Sequence, residues 1–233
     1  MPPRFDGQSV LVIGGTSGIG EGIATGFRAA GASVLATGAT AAECSAPGTA
    51  PLDVRDAAAV AALIGALPRL DHLIYAAGII RRGAEHDPAV FAQVLEVNLT
   101  GAMRAAAAAR AQLAAAKGTL LLTASMHSFF AGPLIPGYSA SKGGIAQLTK
   151  SLAIAWAAEG IRVNALAPGW IATPLTAALR DDPGRAAPIL ARTPMGRWGT
   201  PEDLAGPALF LASPLAAFVT GAVLPVDGGY LAA

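Results

Sequence analysis

The sequence predicts a single α/β domain, a doubly wound parallel sheet with helices on both faces. Short, continuously apolar segments alternate with longer helical patterns along the whole chain, and such segments are typical of strands that are covered on both faces. The chain has 233 residues, which is enough for one large domain and too few for a comfortable division into two. We therefore expect residues 1–233 to fold as one unit.

The predicted strands and helices alternate along the chain. Short apolar runs predict strands at 9–13, 33–37, 72–76, 119–123, 162–166 and 222–226, and one more short strand is expected to end at Leu52-Asp-Val54. Apolar residues at helical spacing predict helices at 18–30, 57–67, 88–116, 139–159 and 201–212. Strands that are joined through helices in this way are parallel.

The segment that follows the predicted strand at 162–166 is unusually long. Residues 168–200 are rich in Pro, Gly, Arg and Thr and contain only short helical patches. In a compact domain such a segment is usually a lid or a binding loop, although it can also be a surface insertion. Because it follows a strand end that carries candidate site residues, we interpret about 170–200 as a substrate lid.

The composition excludes several classes of protein. Hydrophobic residues make up 53% of the chain, but no apolar run approaches the roughly 20 residues of a membrane helix, so they belong in a core or in subunit contacts. A net charge of +1 without a basic stripe argues against nucleic acid. Cys44 and the three histidines show no metal-ligand spacing, so no metal is expected. A single cysteine and no recognisable export signal favour a cytoplasmic setting and a small-molecule partner.

A glycine-rich turn leads from the first predicted strand into the first predicted helix. It reads Gly14-Gly-Thr-Ser17-Gly18-Ile19-Gly20. Glycines at such a turn let the backbone approach a pyrophosphate closely, and the helix N-terminus supplies N–H groups and a positive dipole end. The turn predicts a dinucleotide site, although a glycine turn can also serve packing alone.

The end of the second predicted strand bears on the choice of dinucleotide. It reads Gly38-Ala39-Thr40, so no acidic side chain stands there to bind the ribose hydroxyls of NAD. Neither Ser17 nor Ala39 supplies a cation for the 2′-phosphate of NADP. An unpaired phosphate loses binding energy. We therefore expect a preference for NAD(H) over NADP(H), with Gly38 at the cofactor.

Asp53 and Val54, at the end of the third strand, are the next candidate cofactor contacts. A carboxylate at a strand end can accept hydrogen bonds from a nucleotide. Asp53 could instead cap the helix that is expected to begin near Asp56.

Tyr138 and Lys142 carry the most specific chemical signal. A separation of four residues at the start of a helical pattern places both side chains on one face, where an ammonium favours the ionised phenol. An unperturbed phenol titrates near pH 10, which is too high for efficient proton transfer at neutrality. Ser125 ends a buried strand nearby. A Tyr and a Lys four residues apart can also be an ordinary surface pair.

Together these motifs resemble the short-chain dehydrogenase/reductase family. The glycine turn, Asn98, Ser125, Tyr138-x-x-x-Lys142 and Pro168-Gly-x-x-x-Thr173 occur in the order and spacing of that family, over essentially the whole chain. The resemblance implies a Rossmann-type fold and an NAD(P)-dependent interconversion of an alcohol and a ketone. It also implies a homotetramer, although the apolar helices could equally be buried within one monomer.

The resemblance assigns roles to the catalytic candidates. Tyr138 is expected to exchange a proton with the substrate oxygen, and Ser125 is expected to hydrogen-bond that oxygen. Lys142 is expected to bind the nicotinamide ribose and to lower the pKa of Tyr138. Asn98 is expected to hold a water molecule in the proton relay.

Further cofactor contacts follow from the same resemblance. Ala77 and Gly78 are implied where the fourth strand ends, and the residues implied to line the nicotinamide are Pro168, Gly169, Ile171 and Thr173. Two positions depart from the family pattern. Ile13 stands where a Thr is usual, and Tyr75-Ala-Ala-Gly stands where the family has Asn-Asn-Ala-Gly. The second change removes amide side chains that brace the central sheet.

Narrower motifs look like the branch that contains 2-deoxy-gluconate 3-dehydrogenases and gluconate 5-dehydrogenases. The motifs lie at 77–82, 124–129, 196–204 and 226–229. Arg81, Arg82, His127 and Arg192 lie beside strand ends that face the site and could hold a substrate carboxylate or hydroxyls, although arginines on loops can equally be solvated or paired with nearby acids. The implied substrate is a small polyol or sugar acid. Two alternatives stay open: a reductase of acyl thioesters or xenobiotic ketones, and a non-catalytic protein that senses the cofactor.

Overall fold

The computed structural model describes residues 3–233 and confirms the predicted fold class. One sheet of seven parallel strands runs in the order β3-β2-β1-β4-β5-β6-β7. The strands are β1 Ser9–Ile13, β2 Ser33–Gly38, β3 Thr49–Pro51, β4 His72–Tyr75, β5 Thr119–Thr123, β6 Arg162–Pro168 and β7 Val223–Val226. The strand order changes direction between β1 and β4, and this is the position where doubly wound sheets open a crevice at the strand carboxyl ends.

The helices cover the two faces of the sheet. They are α1 Gly18–Ala29, α2 Ala57–Gly65, α3 Pro88–Leu95, α4 Gly101–Ala116, α5 Pro136–Trp156, α6 Ala177–Arg180, α7 Pro183–Arg192 and α8 Ala205–Ala212. Asp56 caps α2 and Asp87 caps α3, because their side chains accept hydrogen bonds from first-turn N–H groups. No helix in the described range is long and apolar enough to cross a membrane.

Strand β1 shows why the apolar runs are continuous. Leu11 and Ile13 belong to one buried cluster, and Val10 and Val12 belong to a second cluster. Successive side chains of a strand point to opposite faces, so both faces of β1 are covered. Burying each such side chain contributes about 1.5–3 kcal/mol. The continuous apolar pattern is therefore the expected signature of a central parallel strand.

The helix predicted at 88–116 is interrupted, and this is a correction to the sequence interpretation. A π-helical turn, Glu96–Thr100, separates α3 from α4. The buried Tyr75 hydroxyl donates a hydrogen bond to the carbonyl oxygen of Val97 at 2.6 Å, and a Cβ on Gly101 would collide with that hydroxyl. Tyr75 thus braces the sheet to this turn, in the place of the amide side chains that the sequence lacks. π-Helical turns often occur at functional sites.

The segment interpreted as a lid contains α6 and α7 and returns to the sheet edge at its far end. Met195 N–H donates to the carbonyl of Gly228 at 3.1 Å. The turn that it meets is held by Asp227, whose carboxylate accepts the N–H groups of Gly229 and Leu231. Along the chain, helix α7 therefore lies between strand β6 and a contact with a turn that hydrogen bonds to Asp227 hold in place. Its movement as a lid stays a prediction.

Candidate active site

The four predicted catalytic residues meet at the carboxyl ends of β4 and β5. Ser125 follows β5, Tyr138 lies in the first turn of α5, and Lys142 lies one turn later. Asn98 reaches the same place from the π-helical turn. Asn98, Ser125 and Lys142 are all at most 5% exposed. Residues that are far apart in sequence therefore form one polar cluster.

Ser125 is held by a reciprocal hydrogen-bonded turn. Its Oγ accepts the N–H of His127 at 3.1 Å, and its own N–H donates to Ser128 Oγ at 3.3 Å. Ser128 Oγ in turn donates to the carbonyl of Lys142 at 2.7 Å, which ties the turn to α5. The Ser125 hydroxyl also acts on Tyr138, lowering the pKa of the phenol. The serine hydroxyl is thereby fixed beside the phenol.

Burial dominates the electrostatics of the Tyr138–Lys142 pair. Lys142 Nζ donates to the carbonyl of Thr123 at 2.7 Å and lies 5.5 Å from the centroid of the Tyr138 ring. Burial lowers the pKa of Lys142 to about 8. Burial also raises the pKa of Tyr138, and the Ser125 hydroxyl opposes that rise. The net direction for Tyr138 is upward, whereas a neighbouring ammonium alone would move the pKa down.

Asn98 links the end of β4 to α5. Its side-chain amide donates to the carbonyl of Ile79 at 2.9 Å and accepts the N–H of Ile79 at 2.8 Å. The amide also donates to Ser141 Oγ at 3.1 Å. A Cβ on Gly78 would lie 3.5 Å from Asn98 Oδ1 and 3.8 Å from Lys142 Nζ. Gly78 therefore stands directly between the amide and the ammonium.

A cleft of about 670 Å³ opens at the strand-order reversal. The predicted cofactor residues that line it are Gly14, Ser17, Gly18, Ile19, Gly20, Gly38, Asp53, Val54, Ala77, Gly78 and Thr173. Ser17 is the N-cap of α1 but makes no side-chain cap bond, so the first-turn N–H groups are open to a phosphate. A Cβ on Gly14, whose φ is +77°, would lie 2.5 Å from the Ala77 nitrogen. The cleft thus has the donors and the close backbone approach that a dinucleotide requires.

Part of the Pro168–Thr173 motif lies elsewhere. Thr173 packs beside Gly18, but Ile171 is 3% exposed and lines a second cavity of about 360 Å³ together with Trp170. A Cβ on Gly169 would collide with Asp227, so this glycine serves the packing of the strand end. Pro168 is buried at the end of β6. These three residues shape the cleft from behind and do not line it.

Two acidic residues define the outer end of the cleft. Asp53 forms an ion pair with Arg55 at 2.7 Å, and that guanidinium lowers the pKa of the Asp53 carboxyl. The helix cap is Asp56, so the capping interpretation of Asp53 is wrong. Glu43 was not predicted. It follows β2 in a short turn, lines the cleft and accepts the N–H of Ala39 at 2.8 Å.

Aromatic and basic side chains face Tyr138 from the other direction. The His127 ring lies 6.0 Å from the Tyr138 ring and 4.8 Å from Phe130, measured between centroids. The Arg192 guanidinium lies 4.4 Å from the centroid of Tyr230 and 5.5 Å from that of Phe130. Tyr230, which sequence analysis missed, thus joins α7 to the loop that follows Ser125.

Four exposed arginines lie on this side, and one of them, Arg82, is attracted by the buried carboxylate of Glu85. Across residues 3–233, no carboxylate forms an ion pair with Arg81, Arg82, Arg185 or Arg192. Burial and the neighbouring charge of Arg185 lower the pKa of Arg82, and Arg82 in turn acts on Tyr138 and His127. Within the same range His127 Nδ1 is buried without a hydrogen-bond partner. Arg81 differs, because it lines the cofactor cleft.

Comparisons with known proteins agree with this site. A family model described as Enoyl-(Acyl carrier protein) reductase matches residues 14–231. The chain is 41% identical, over 97% of both chains, to 2-dehydro-3-deoxy-D-gluconate 5-dehydrogenase of Pseudoalteromonas atlantica. It is also 41% identical to galactitol 2-dehydrogenase (L-tagatose-forming) of Cereibacter sphaeroides, over 97% of this chain and 96% of the relative.

The fold comparison points in the same direction. A solved structure from Beutenbergia cavernae, described as an NAD(P)-dependent gluconate 5-dehydrogenase with bound NADP at low occupancy, matches with a TM-score of 0.92, 41% identity and 100% coverage of both chains. The chain belongs to the short-chain dehydrogenase/reductase family. It is an NAD(P)-dependent oxidoreductase that interconverts a secondary alcohol and a ketone.

Proposed function

We propose that this enzyme acts at a secondary carbon of a small hydroxy acid, keto acid or polyol, with Tyr138 as the proton donor and acceptor. The observation that carries the proposal is that Arg82 and Arg192, on the Tyr138 side of the site, form no ion pair within residues 3–233. Arg82 acts electrostatically on Tyr138, and Arg192 stands on the aromatic wall that includes His127 and Phe130. A carboxylate or several hydroxyls would satisfy these donors, whereas an acyl chain would leave them unpaired.

The proton step follows from the hydrogen bonds of the site. In the oxidation direction the Tyr138 phenolate accepts the hydroxyl proton of the substrate, while the Ser125 hydroxyl donates a hydrogen bond to the same oxygen. A nicotinamide, when bound, supplies the hydride acceptor or donor. Burial raises the pKa of Tyr138, and the positive charge of Arg82 opposes that rise. We expect the ammonium of Lys142, which lies 5.5 Å from the centroid of the Tyr138 ring, to favour the phenolate as well. Lys142 would also hold the nicotinamide ribose, and Asn98 would hold a water molecule in the proton relay, as the family resemblance implies.

The relatives support the substrate class. The two relatives are named as a 5-dehydrogenase of a keto-deoxy sugar acid and as a 2-dehydrogenase of a polyol. Each name places the reaction at a secondary carbon of the substrate. Charge-assisted hydrogen bonds contribute roughly 1.5–3 kcal/mol each, enough to discriminate about tenfold or more per contact. We expect Arg82 and Arg192 to bind the carboxylate end, and His127 to bind a hydroxyl.

A substrate panel tests this proposal. Gluconate, galactitol, a cyclic ketone and an acyl thioester are offered with each dinucleotide, and turnover is followed by nicotinamide absorbance. We expect the hydroxy acid or the polyol to give the highest kcat/KM, and Arg82→Ala to lower kcat/KM about tenfold or more for carboxylated substrates only. A preference for the thioester would support the acyl-reductase alternative, and no turnover with any compound would support a cofactor sensor.

We also propose a preference for NAD(H). Glu43 places a carboxylate beside Gly38 and Ala39, where the 2′-phosphate of NADP would meet it. The negative charges of the Glu43 carboxylate and the 2′-phosphate would repel each other, which disfavours the binding of NADP. The Beutenbergia structure holds NADP, so that relative points the other way. Fluorescence titration decides the matter: we expect a lower Kd for NADH than for NADPH and a smaller gap in Glu43→Gln, and tighter NADPH binding by the unaltered protein would contradict the preference.

We propose a homotetramer as the assembled form. The family resemblance implies it, and large apolar side chains are exposed on the outside of the monomer. Phe218 is fully exposed, Leu215 is 70% exposed and Ile154 is 82% exposed. Light scattering should give four times the mass of one chain, and a monomer would contradict the proposal.

A further inference from the structure

Helix α5 carries Tyr138 and Lys142 but begins without a cap of its own. Its N-cap residue is Ile135, which has no side-chain hydrogen-bonding group, and Pro136 occupies the first helical position. The first N–H groups of a helix have no partner inside the helix and need one from elsewhere. The Tyr138 N–H is one of these groups.

Glu85 supplies the missing partner from a different segment of the chain. Its Oε2 accepts the Tyr138 N–H at 2.7 Å, and its Oε1 accepts the Arg81 N–H at 2.7 Å. Glu85 lies in the short turn Ala84–His86 and is 1% exposed. One carboxylate therefore joins the backbone of the proton-transfer residue to the backbone of the arginine pair that follows β4.

A carboxylate is the side chain that this geometry demands. Two N–H donors converge on its two oxygens, and an amide side chain could accept only one of them. Burying an unpaired charge is costly. Within the described residues Glu85 forms no ion pair, but its charge is stabilised by the two N–H groups, by the positive end of α5 and by attraction to Arg82. A neutral residue would cap the helix at a lower cost if capping were the only role.

The surrounding contacts show that the two segments are already joined without Glu85. Gly83 N–H donates to the carbonyl of Leu134 at 2.7 Å, and His86 Nε2 bonds the carbonyl of Pro133 at 2.9 Å. These bonds hold the loops that precede α5. The bond from Glu85 is different, because it reaches the backbone of Tyr138 itself.

We propose that Glu85 is a positioning residue for the proton-transfer step, which holds Tyr138 at a fixed distance from the Arg81–Arg82 segment. Displacing a reacting group by about 1 Å can cost up to about 100-fold in rate. The carboxylate also sets the electrostatics of the phenol, because its negative charge opposes ionisation of Tyr138. The other groups that face Tyr138 are Arg82, His127 and Lys142, together with the hydroxyl of Ser125. This inference rests on the proposed role of Tyr138.

Two substitutions separate position from charge. Glu85→Gln keeps the size but removes the charge and presents an NH₂ group to one N–H donor. Glu85→Asp keeps the charge but is too short to reach both donors. Asp87→Asn is the matched control, because Asp87 caps α3 in the same loop, is exposed and does not contact the site.

The measurements are kcat and KM with the best compound of the panel, NADH affinity by fluorescence, and tyrosinate absorbance against pH with the Tyr138→Phe spectrum subtracted. We expect both Glu85 variants to lose about 10- to 100-fold in kcat, with NADH affinity within about twofold of the unaltered protein. The tyrosinate titration should move to lower pH in Glu85→Gln and stay in place in Glu85→Asp. Asp87→Asn should keep its kcat.

Three results would overturn the inference. They are a kcat in both Glu85 variants equal to that of the control, an unmoved tyrosinate titration in Glu85→Gln, or loss of cooperative unfolding in both variants, which would make Glu85 a determinant of the fold as a whole. Should only Glu85→Gln fail to fold, Glu85→Asp decides through its kcat. The titration needs no substrate, so failure of the inference is distinguishable from a wrong substrate class.

Discussion

A histidine ring lies at each end of the parallel strands, at the amino edge and at the carboxyl edge of the sheet, and the two rings are hydrogen-bonded differently. At the amino edge both ring nitrogens of His72 are bonded, to Thr119 Oγ1 and to Gln8 Oε1, each at 2.7 Å. At the carboxyl edge His127 Nδ1 is buried without a partner in the described chain, and the pKa of Lys142 is lowered to about 8. Buried polarity that is fully satisfied stabilises a fold, whereas buried polarity that is left incomplete is available to a ligand.

The largest effect is expected from a substitution in the site at the carboxyl edge. Tyr138→Phe removes the hydroxyl that exchanges the proton but keeps the ring that packs against His127. We expect kcat to fall by about 100- to 10,000-fold, with NADH binding still measurable by fluorescence. Turnover close to that of the unaltered enzyme would rule out Tyr138 as the acid and base.

The next effect is a pH dependence of stability, and it comes from His72 at the amino edge. Burial lowers the pKa of His72 from 6.5 to about 4. Below pH 6.5 the unfolded chain therefore binds a proton at His72 that the folded chain does not bind. The free energy of unfolding is highest near neutral pH and decreases as the pH falls toward 4. Between pH 7 and pH 5 the loss should be about 2 kcal/mol.

Urea unfolding at both pH values measures that loss, and His72→Gln is the control because it cannot titrate. We expect the pH dependence of the variant to be weaker by the same amount. An equal dependence in both proteins would mean that other groups, such as carboxylates, cause the loss at low pH.

A further loss of stability is expected at the π-helical turn, which lies at the carboxyl edge. Tyr75→Phe leaves the Val97 carbonyl without its donor and loosens the π-helical turn that carries Asn98. We expect a loss of about 1–3 kcal/mol in the free energy of unfolding, together with a modest fall in kcat. A variant as stable as the unaltered protein would show that the turn does not depend on this bond.

The fold was predictable because its determinants are local. The burial of β1 on both faces is indicated by four consecutive apolar residues, Val10 to Ile13. The break at Glu96–Thr100 was not predictable, because the contact that braces it comes from the Tyr75 hydroxyl, 22 residues from its partner Val97. Helical periodicity is nearly the same on either side of a π-helical turn, so the pattern alone does not reveal it.

The site divides in the same way. Tyr138, Lys142 and the glycine turn lie within short motifs whose spacing expresses their chemistry. Glu85 and Glu43 do not, because each lies in an irregular turn and acts on backbone N–H groups. Glu85 is 53 residues from Tyr138. Glu85 stands in a polar loop between Arg82 and Asp87, so the sequence does not distinguish it from an ordinary exposed charge.

The most direct test of the contrast between the edges removes one buried hydroxyl from each. Ser125 is 5% exposed and Thr119 is 4% exposed, so Ser125→Ala and Thr119→Ala are closely matched. Turnover and urea unfolding are measured on the same preparations. We expect both variants to lose about 1–3 kcal/mol of stability, because each leaves a hydrogen-bond partner unpaired, but only Ser125→Ala to lose about 100-fold in kcat, with the kcat of Thr119→Ala unchanged. An intact kcat in Ser125→Ala would contradict the account.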